Sequence, residues 1–295
     1  MQRLKKDNLI YEFKRENKPV YFVEDGEVFW VETPDCYLGQ IRDEQTLRTD
    51  IDSSVIDASV GPINVAGATA EDVLCVDVLD IKLDSQGVMI TNKGLGVLGE
   101  HMDKAVTKVV EIEGNFAIFN DEIKIPLNPM IGILGVAPVD CVKGCEVPGN
   151  FGGNMDTKEV AVGSKVYLPI YVEGANFALS DVHAAMGDGE LSGTGIEIAA
   201  EVQLRVKVIK GKTIEKPIIE IEDFFYILVT EETFEEALKE ASRETVKLLM
   251  RKLDLIFEEA YMLMSATCDI AISQVVNGVY TLKMKIPKYL VQSVF

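Results

Sequence analysis

Hydrophobic and polar positions alternate most cleanly between Glu197 and Ile209. Ile198, Ala200, Val202, Leu204, Val206 and Val208 alternate there with Glu197, Ala199, Glu201, Gln203, Arg205 and Lys207. A period of two puts successive side chains on opposite faces of a strand, so the first set is expected inward and the second in water. From the start to about residue 210, similar short runs are separated by Gly, Pro, Asn and Asp. Residues 20–23 and 28–31 flank Glu24-Asp25-Gly26-Glu27 and read as a hairpin. The run from Asp72 to Leu83, whose interior polar residues are Asp77, Asp80 and Lys82, reads as a strand buried on both faces. Many short strands without intervening helices predict a sandwich or jelly-roll-like body.

The pattern changes after Gly211-Lys212-Thr213-Ile214-Glu215-Lys216-Pro217. Residues 218–229 read as one strand. Thr230 or Thr233 then caps a helix whose first turns carry Glu231, Glu232, Glu235 and Glu236, acids that oppose the positive end of its dipole. Phe234, Leu238, Ala241, Thr245, Leu248 and Leu249 follow at three- and four-residue steps as one apolar face. A second helix is predicted from Phe257 to about Val276, and a closing strand from Val279 to Ile286. The chain therefore reads as mainly β: a body over residues 1–210 carrying the candidate loops, and a smaller α+β part over 211–295.

Composition narrows the classes of function. The 295 residues suit two such parts, and 47% hydrophobic with 26% charged residues is globular. A net charge of −19 argues against a nucleic-acid partner, whose phosphates it repels. No stretch approaches the ~18 apolar residues of a membrane-spanning helix, and the N-terminal residues lack the apolar core of a secretion signal. Five scattered cysteines, an odd number, suit a reducing compartment, so a cytoplasmic location is expected.

Histidine is scarce: His101 and His183 are the two in the chain. No Gly-x-Ser-x-Gly elbow, P-loop or His-Glu-x-x-His motif is present. Site-forming residue types gather instead in Pro148–Asp156 and in Gly174–Glu190. Asp181 and His183, two apart, point to the same side of an extended chain, and Asp188 and Glu190 repeat the spacing. Carboxylates with one imidazole fit a divalent cation, with zinc, calcium and manganese all compatible. The same spacing also suits a plain hairpin turn at Gly187-Asp188-Gly189-Glu190, and Asn154 and Asp156 suit a loop shaped by local side-chain bonds. His101, in a Gly-rich stretch, reads as a surface loop.

Several stretches together resemble the acetamidase/formamidase family. They are Val31-Glu32-Thr33-Pro34-Asp35 with Gly39-Gln40, and Gly61-Pro62-Ile63-Asn64-Val65-Ala66-Gly67-Ala68. Asn128-Pro129-Met130-Ile131-Gly132, Gly135-Val136-Ala137-Pro138, Gly152-Gly153-Asn154-Met155-Asp156 and Asp181 to Glu190 follow in the family's order. One departure is Asn150-Phe151 before the paired glycines, where many members are expected to carry a histidine; this leaves the site fewer nitrogen ligands. The resemblance implies a mostly β hydrolase that cleaves the C–N bond of small linear amides to carboxylate and ammonia, and commonly a homo-oligomer. The expected mechanism uses a metal-activated water, with a zinc or calcium ion held by Asp35, Asp181 and His183. Glu190 or Asp188 would relay the proton to departing ammonia. Asn154 and the amides of Gly152 and Gly153 would bind the oxyanion, with Asp156 beside them at the substrate. The alternative is a non-catalytic β-sandwich protein binding a small ligand or a structural cation. The apolar tail from Tyr289 to Phe295 is expected to pack either on a second copy or on its own subunit.

Overall fold

A computed structural model describes residues 2–295. Its principal elements are β1 (Val28–Thr33), β2 (Ser59–Val65), β3 (Val73–Thr91), β4 (Val106–Glu113), β5 (Met130–Gly135), β6 (Lys165–Pro169) and β7 (Phe177–His183). They continue with β8 (Glu197–Ile209), β9 (Ile218–Glu220), β10 (Phe224–Glu231), α1 (Phe234–Leu253), α2 (Phe257–Thr267), β11 (Asp269–Gln274) and β12 (Tyr280–Pro287). The chain is mainly β with two helices near its C-terminus, as the patterning predicts. No helix among the described residues is long and apolar enough to cross a membrane.

The body is two sets of strands around one apolar core. In the first, β8 lies between β1 and β3 in antiparallel register, and β3 also pairs with β4 and β6. In the second, β7 pairs antiparallel with β5 and β2. Phe29, Val76 and Leu204 from the first set and Ile63, Ile133 and Phe177 from the second are fully buried in the same core. On β8, Ile198, Val202, Leu204 and Val206 are buried while Glu201, Gln203 and Arg205 are half-exposed, so the period-two reading holds over those positions. Besides this shared core, one register pair joins β7 to β8, His183 opposite Glu197.

A second core lies under the C-terminal part. Leu282, Met284 and Ile286 of β12 and Phe225, Ile227 and Val229 of β10 face Ala237, Ala241, Val246, Leu248 and Leu249 of α1, and Val73, Cys75 and Tyr167 of the body join them. Thr233 caps α1 by accepting from the Glu236 amide at 3.2 Å. Asp254, at φ 53°, ends the helix in the left-handed region. The tail packs on its own subunit: Val291 and Val294 are buried in this core, and the Phe295 ring meets Tyr167 edge-on at 5.0 Å.

Three local expectations are corrected. Tyr21–Val23 and β1 do not form a hairpin, because each finds another partner: the first runs parallel to β2, and β1 pairs with β8. The turn between them docks on β8, where Gly26 donates to the Val206 carbonyl and Asp25 accepts from the Val208 amide. The single strand expected over 218–229 is a hairpin, β9 against β10, turning at Glu222-Asp223. The second helix stops at Thr267, and β11 follows, with β-branched Ile270 and Ile272 taking up pairing with β12.

Candidate functional site

The meeting point of β7 and β8 collects the charges. His183 and Glu197 are buried, with Nε2 3.1 Å from Glu197 Oε2 and 3.4 Å from Asp181 Oδ1. The angles are too poor for hydrogen bonds, so both imidazole nitrogens and Glu197 Oε2 are buried without a hydrogen-bond partner. Glu197 Oε1 accepts from the Gly195 amide at 2.9 Å. Asp156 and Glu190 complete the wall, and a nitrogen of His183 and oxygens of both lie within 4.8 Å of one another. A second group, Cys36, Asp181 and Glu197, meets the same criterion.

Two glycines leave room for these side chains. Gly132 of β5 stands opposite Asp181, and a Cβ there would lie 2.4 Å from Asp181 Oδ2 and 2.5 Å from Asp156 Oδ1. A Cβ on Gly195 would lie 2.6 Å from His183 Nδ1. Asp156, Asp181 and Glu190 all have positive φ, at 39°, 59° and 49°. That conformation is uncommon for residues with a Cβ and persists only where surrounding structure enforces it.

Enforcement comes partly from the C-terminal part. Asn277 Nδ2 donates to Asp156 Oδ2 at 2.7 Å and to the Asn154 carbonyl at 3.1 Å. The Gly189 amide donates to the Ser273 carbonyl, and the Val275 amide to the Gly189 carbonyl, which seats the loop before Glu190 on β11. With its nitrogen turned toward Asp156, the Asn154 amide donates to both carboxylate oxygens, at 2.9 and 3.1 Å.

Crowded burial moves the titrations. Burial and the Asp181 charge push Asp156 up to about 6. Burial likewise pushes Glu197 up to about 7 and, with Asp156, holds Glu190 well above the usual carboxylate range. Burial opposes ionisation of Asp181, but the His183 charge and the short contacts with His183, Glu197 and Asp156 together outweigh it and lower its pKa. Burial opposes a charge on His183, but Glu197 and Asp181 override it and hold its pKa well above the usual value. The group therefore stabilises positive charge at its centre.

Above it lies a cavity of about 140 Å³, walled by Ile56, Ile90, Leu95 and Val276 and lined toward the charges by Asp181, Glu190, Thr194 and Glu197. Drug-sized ligands fill roughly 300–1,000 Å³, so this cavity suits a molecule of a few heavy atoms. The Thr194 hydroxyl is buried there without a partner.

Of the residues singled out from sequence, Asn154, Asp156, Asp181, His183 and Glu190 come together. Asp35 does not join them: its carboxylate accepts from the Gly39 amide at 2.9 Å and lies 3.8 Å from Arg42 Nη2, while its neighbour Cys36 stands beside Asp181 and Glu197. Asp188 pairs with Lys158 and Lys283 at 2.9 and 2.6 Å. The Gly152 and Gly153 amides donate to the Gly149 and Leu134 carbonyls. Phe151, at the histidine departure, is buried with its ring 5.4 Å from Phe13. Sequence reasoning missed Cys36, Thr194, Glu197 and Asn277. Glu197 sat in the alternate set expected to face water, and its one local signal was an acid directly after Gly195-Ile196 at a strand start.

The family model described as the acetamidase/formamidase family matches residues 4–144 and 145–290. The crystal structure of an acetamidase from Bacillus halodurans is 38% identical, covers 98% of each chain and superposes with a TM-score of 0.97. The structure of a predicted acetamidase/formamidase from Thermoanaerobacter tengcongensis is 39% identical, covers 99% of this chain and 97% of its own, and has a TM-score of 0.96. A formamidase of Methylophilus methylotrophus is 25% identical over 253 residues, 65% of this chain and 61% of its own length. The chain spans 61–63% of the length of the curated relatives it matches.

Proposed function

The chain belongs to the acetamidase/formamidase family, and on that footing we propose that it hydrolyses the C–N bond of short linear amides to carboxylate and ammonia. The observation that carries the reading is the small cavity closed at one end by Asp181, Glu190 and Glu197, with His183 behind them against Asp181 and Glu197. Water adds its oxygen to the carbonyl carbon, the C–N bond breaks, and the nitrogen leaves with a proton. Glu190, which lines the cavity, is the group we assign to move that proton at one of its carboxyl oxygens. Asp188 is less suited, since both its oxygens engage lysines. With the Gly152 and Gly153 amides used internally and the Asn154 amide committed to Asp156, the unpartnered Thr194 hydroxyl is the donor we assign to the substrate oxygen. Ile56, Ile90, Leu95 and Val276 offer the acyl chain its apolar contacts and limit its length.

The residues fit a divalent cation. Unpartnered buried atoms on His183 and Glu197, among several carboxylates, are what a ligand set leaves when described without its ion. Asp156, His183 and Glu190 would hold it, with Cys36, Asp181 and Glu197 as the neighbouring donor group. Imidazole and thiol donors favour zinc over calcium, which takes an oxygen shell. When bound, such an ion polarises a carbonyl and lowers the pKa of water.

Ammonia measured after incubation with formamide, acetamide and propionamide tests the reading. Release that a chelator abolishes is expected. No release from any short amide would reject it in favour of a binding protein on the same fold.

We further propose that the chain self-associates and works in the cytoplasm. Ile256, Phe257, Tyr261 and Met262 are exposed at α2, an apolar surface that a second copy would cover, and all five cysteines are free. A mass near 32.6 kDa by light scattering would refute the assembly.

A further inference from the structure

Lys283 is a buried lysine that the proposed chemistry does not use. On β12 its neighbours Leu282 and Met284 turn into the core under α1, so Lys283 points from the opposite face toward the body. Its side chain is 1% exposed. A lone ammonium there would be strongly disfavoured, and it is tolerated because two carboxylates meet it, Glu159 Oε2 and Asp188 Oδ1, each at 2.6 Å. The second Asp188 oxygen pairs with Lys158 at 2.9 Å.

The two partners lie on different segments of the site. Glu159 follows Asp156 by three residues, and Asp188 precedes Glu190 by two. Lys283 therefore ties the segment carrying Asp156 to the segment carrying Glu190. Neither Asp156 nor Glu190 sits in relaxed backbone, since both have positive φ. Around the tie, Thr157 donates to Ser273 Oγ at 3.0 Å, and Thr157, Ser273 and Gln274 are all fully buried. Loss of the tie would free two strained segments to relax apart while the apolar core under α1 stays intact.

We infer that Lys283 is a positioning residue, which sets the separation of Asp156 and Glu190 through Glu159 and Asp188. The inference rests on the reading of these two acids as part of the working site. It also gives the C-terminal part a share in the chemistry, and gives Asp188 an anchoring role.

The test compares wild type, Lys283→Met, Glu159→Gln, Asp188→Asn and the Lys283→Met/Asp188→Asn double variant, with the exposed Lys239→Met as control. Three quantities are read: circular dichroism and thermal melting, kcat and KM for acetamide, and affinity for Zn²⁺ alone by calorimetry. For folded Lys283→Met we expect kcat to fall tenfold or more with KM changed less than threefold, and Zn²⁺ affinity to fall about 10–100-fold, the range for groups that orient metal ligands. The double variant should be no worse than Lys283→Met, because both changes remove the same tie. Lys239→Met should match wild type. If Lys283→Met does not fold, Glu159→Gln, which leaves the Asp188 pair in place, should show the same losses to a smaller degree. A wild type inactive on every short amide would reject the amide reading, and the Zn²⁺ arm would still decide this one. Folded Lys283→Met with wild-type kcat and Zn²⁺ affinity, or with a lowered melting point as its sole change, would overturn the inference.

Discussion

His183 and Glu197 face each other across the one register pair that joins β7 to β8, with imidazole Nε2 3.1 Å from the carboxylate Oε2. Fourteen positions separate them in the chain, and the turn between carries Glu190, Thr194 and Gly195. A single return of the chain thus supplies an imidazole, two carboxylates, a hydroxyl and the glycine that makes space for the ring.

Replacing Glu197 by Gln keeps the shape and removes the charge. In the proposed reaction this should lower kcat on acetamide by about 10²-fold or more, in the range for acid–base and electrostatic groups. Ammonia release by the folded variant checks it. Wild-type turnover would remove Glu197 from the site.

Thr194→Val deletes the hydroxyl at nearly constant volume. With its partner in the substrate, KM for acetamide should rise about three- to tenfold, the worth of one net hydrogen bond, and Thr194→Ser should recover most of it. A KM unmoved in both variants would leave the orphan hydroxyl without a role in binding.

Gly132→Ala places a methyl where oxygens of Asp156 and Asp181 stand. Overpacking of this kind costs about 1–3 kcal/mol, and the displaced groups are the candidate working ones. A drop in activity larger than the drop in melting temperature is expected, read from steady-state rates at a temperature where the variant is folded.

Asp72 anchors the strand start away from the site. Its carboxylate accepts from the Thr69 amide and hydroxyl, the Gly211 amide and Lys210 Nζ, at 2.8–3.0 Å. Burial opposes its ionisation, but these bonds outweigh burial and depress its pKa below the usual range. A depressed folded pKa contributes stability above the unfolded value of about 3.9 and loses it as pH falls toward the folded value. Asp72→Asn should therefore melt below wild type at pH 7, with the gap narrowing below about pH 4. Melting curves across pH 2–8 check this, and a gap constant with pH would contradict it.

The alternation from Ile198 to Val208 determined a strand with its buried side, because period two is a property of the local backbone. The stripe from Phe234 to Leu249 determined α1 for the same reason, and left its cap between Thr230 and Thr233 until the fold selected Thr233. The loop stretches from Gly152 to Asp156 and from Asp181 to Glu190 carried the family, and with it half of the candidate site. Local pattern says which side of a strand a residue takes, and not what covers that side. Glu197 therefore read as solvated, although β7 and its loop close over it. Asp188 and Glu190 share one spacing, and only the fold sends the first to Lys283 and the second to His183. Cys36, Thr194 and Asn277 arrive from distant parts of the chain because β pairing is non-local, and the environment of a buried polar group is set by whatever the packing brings opposite it.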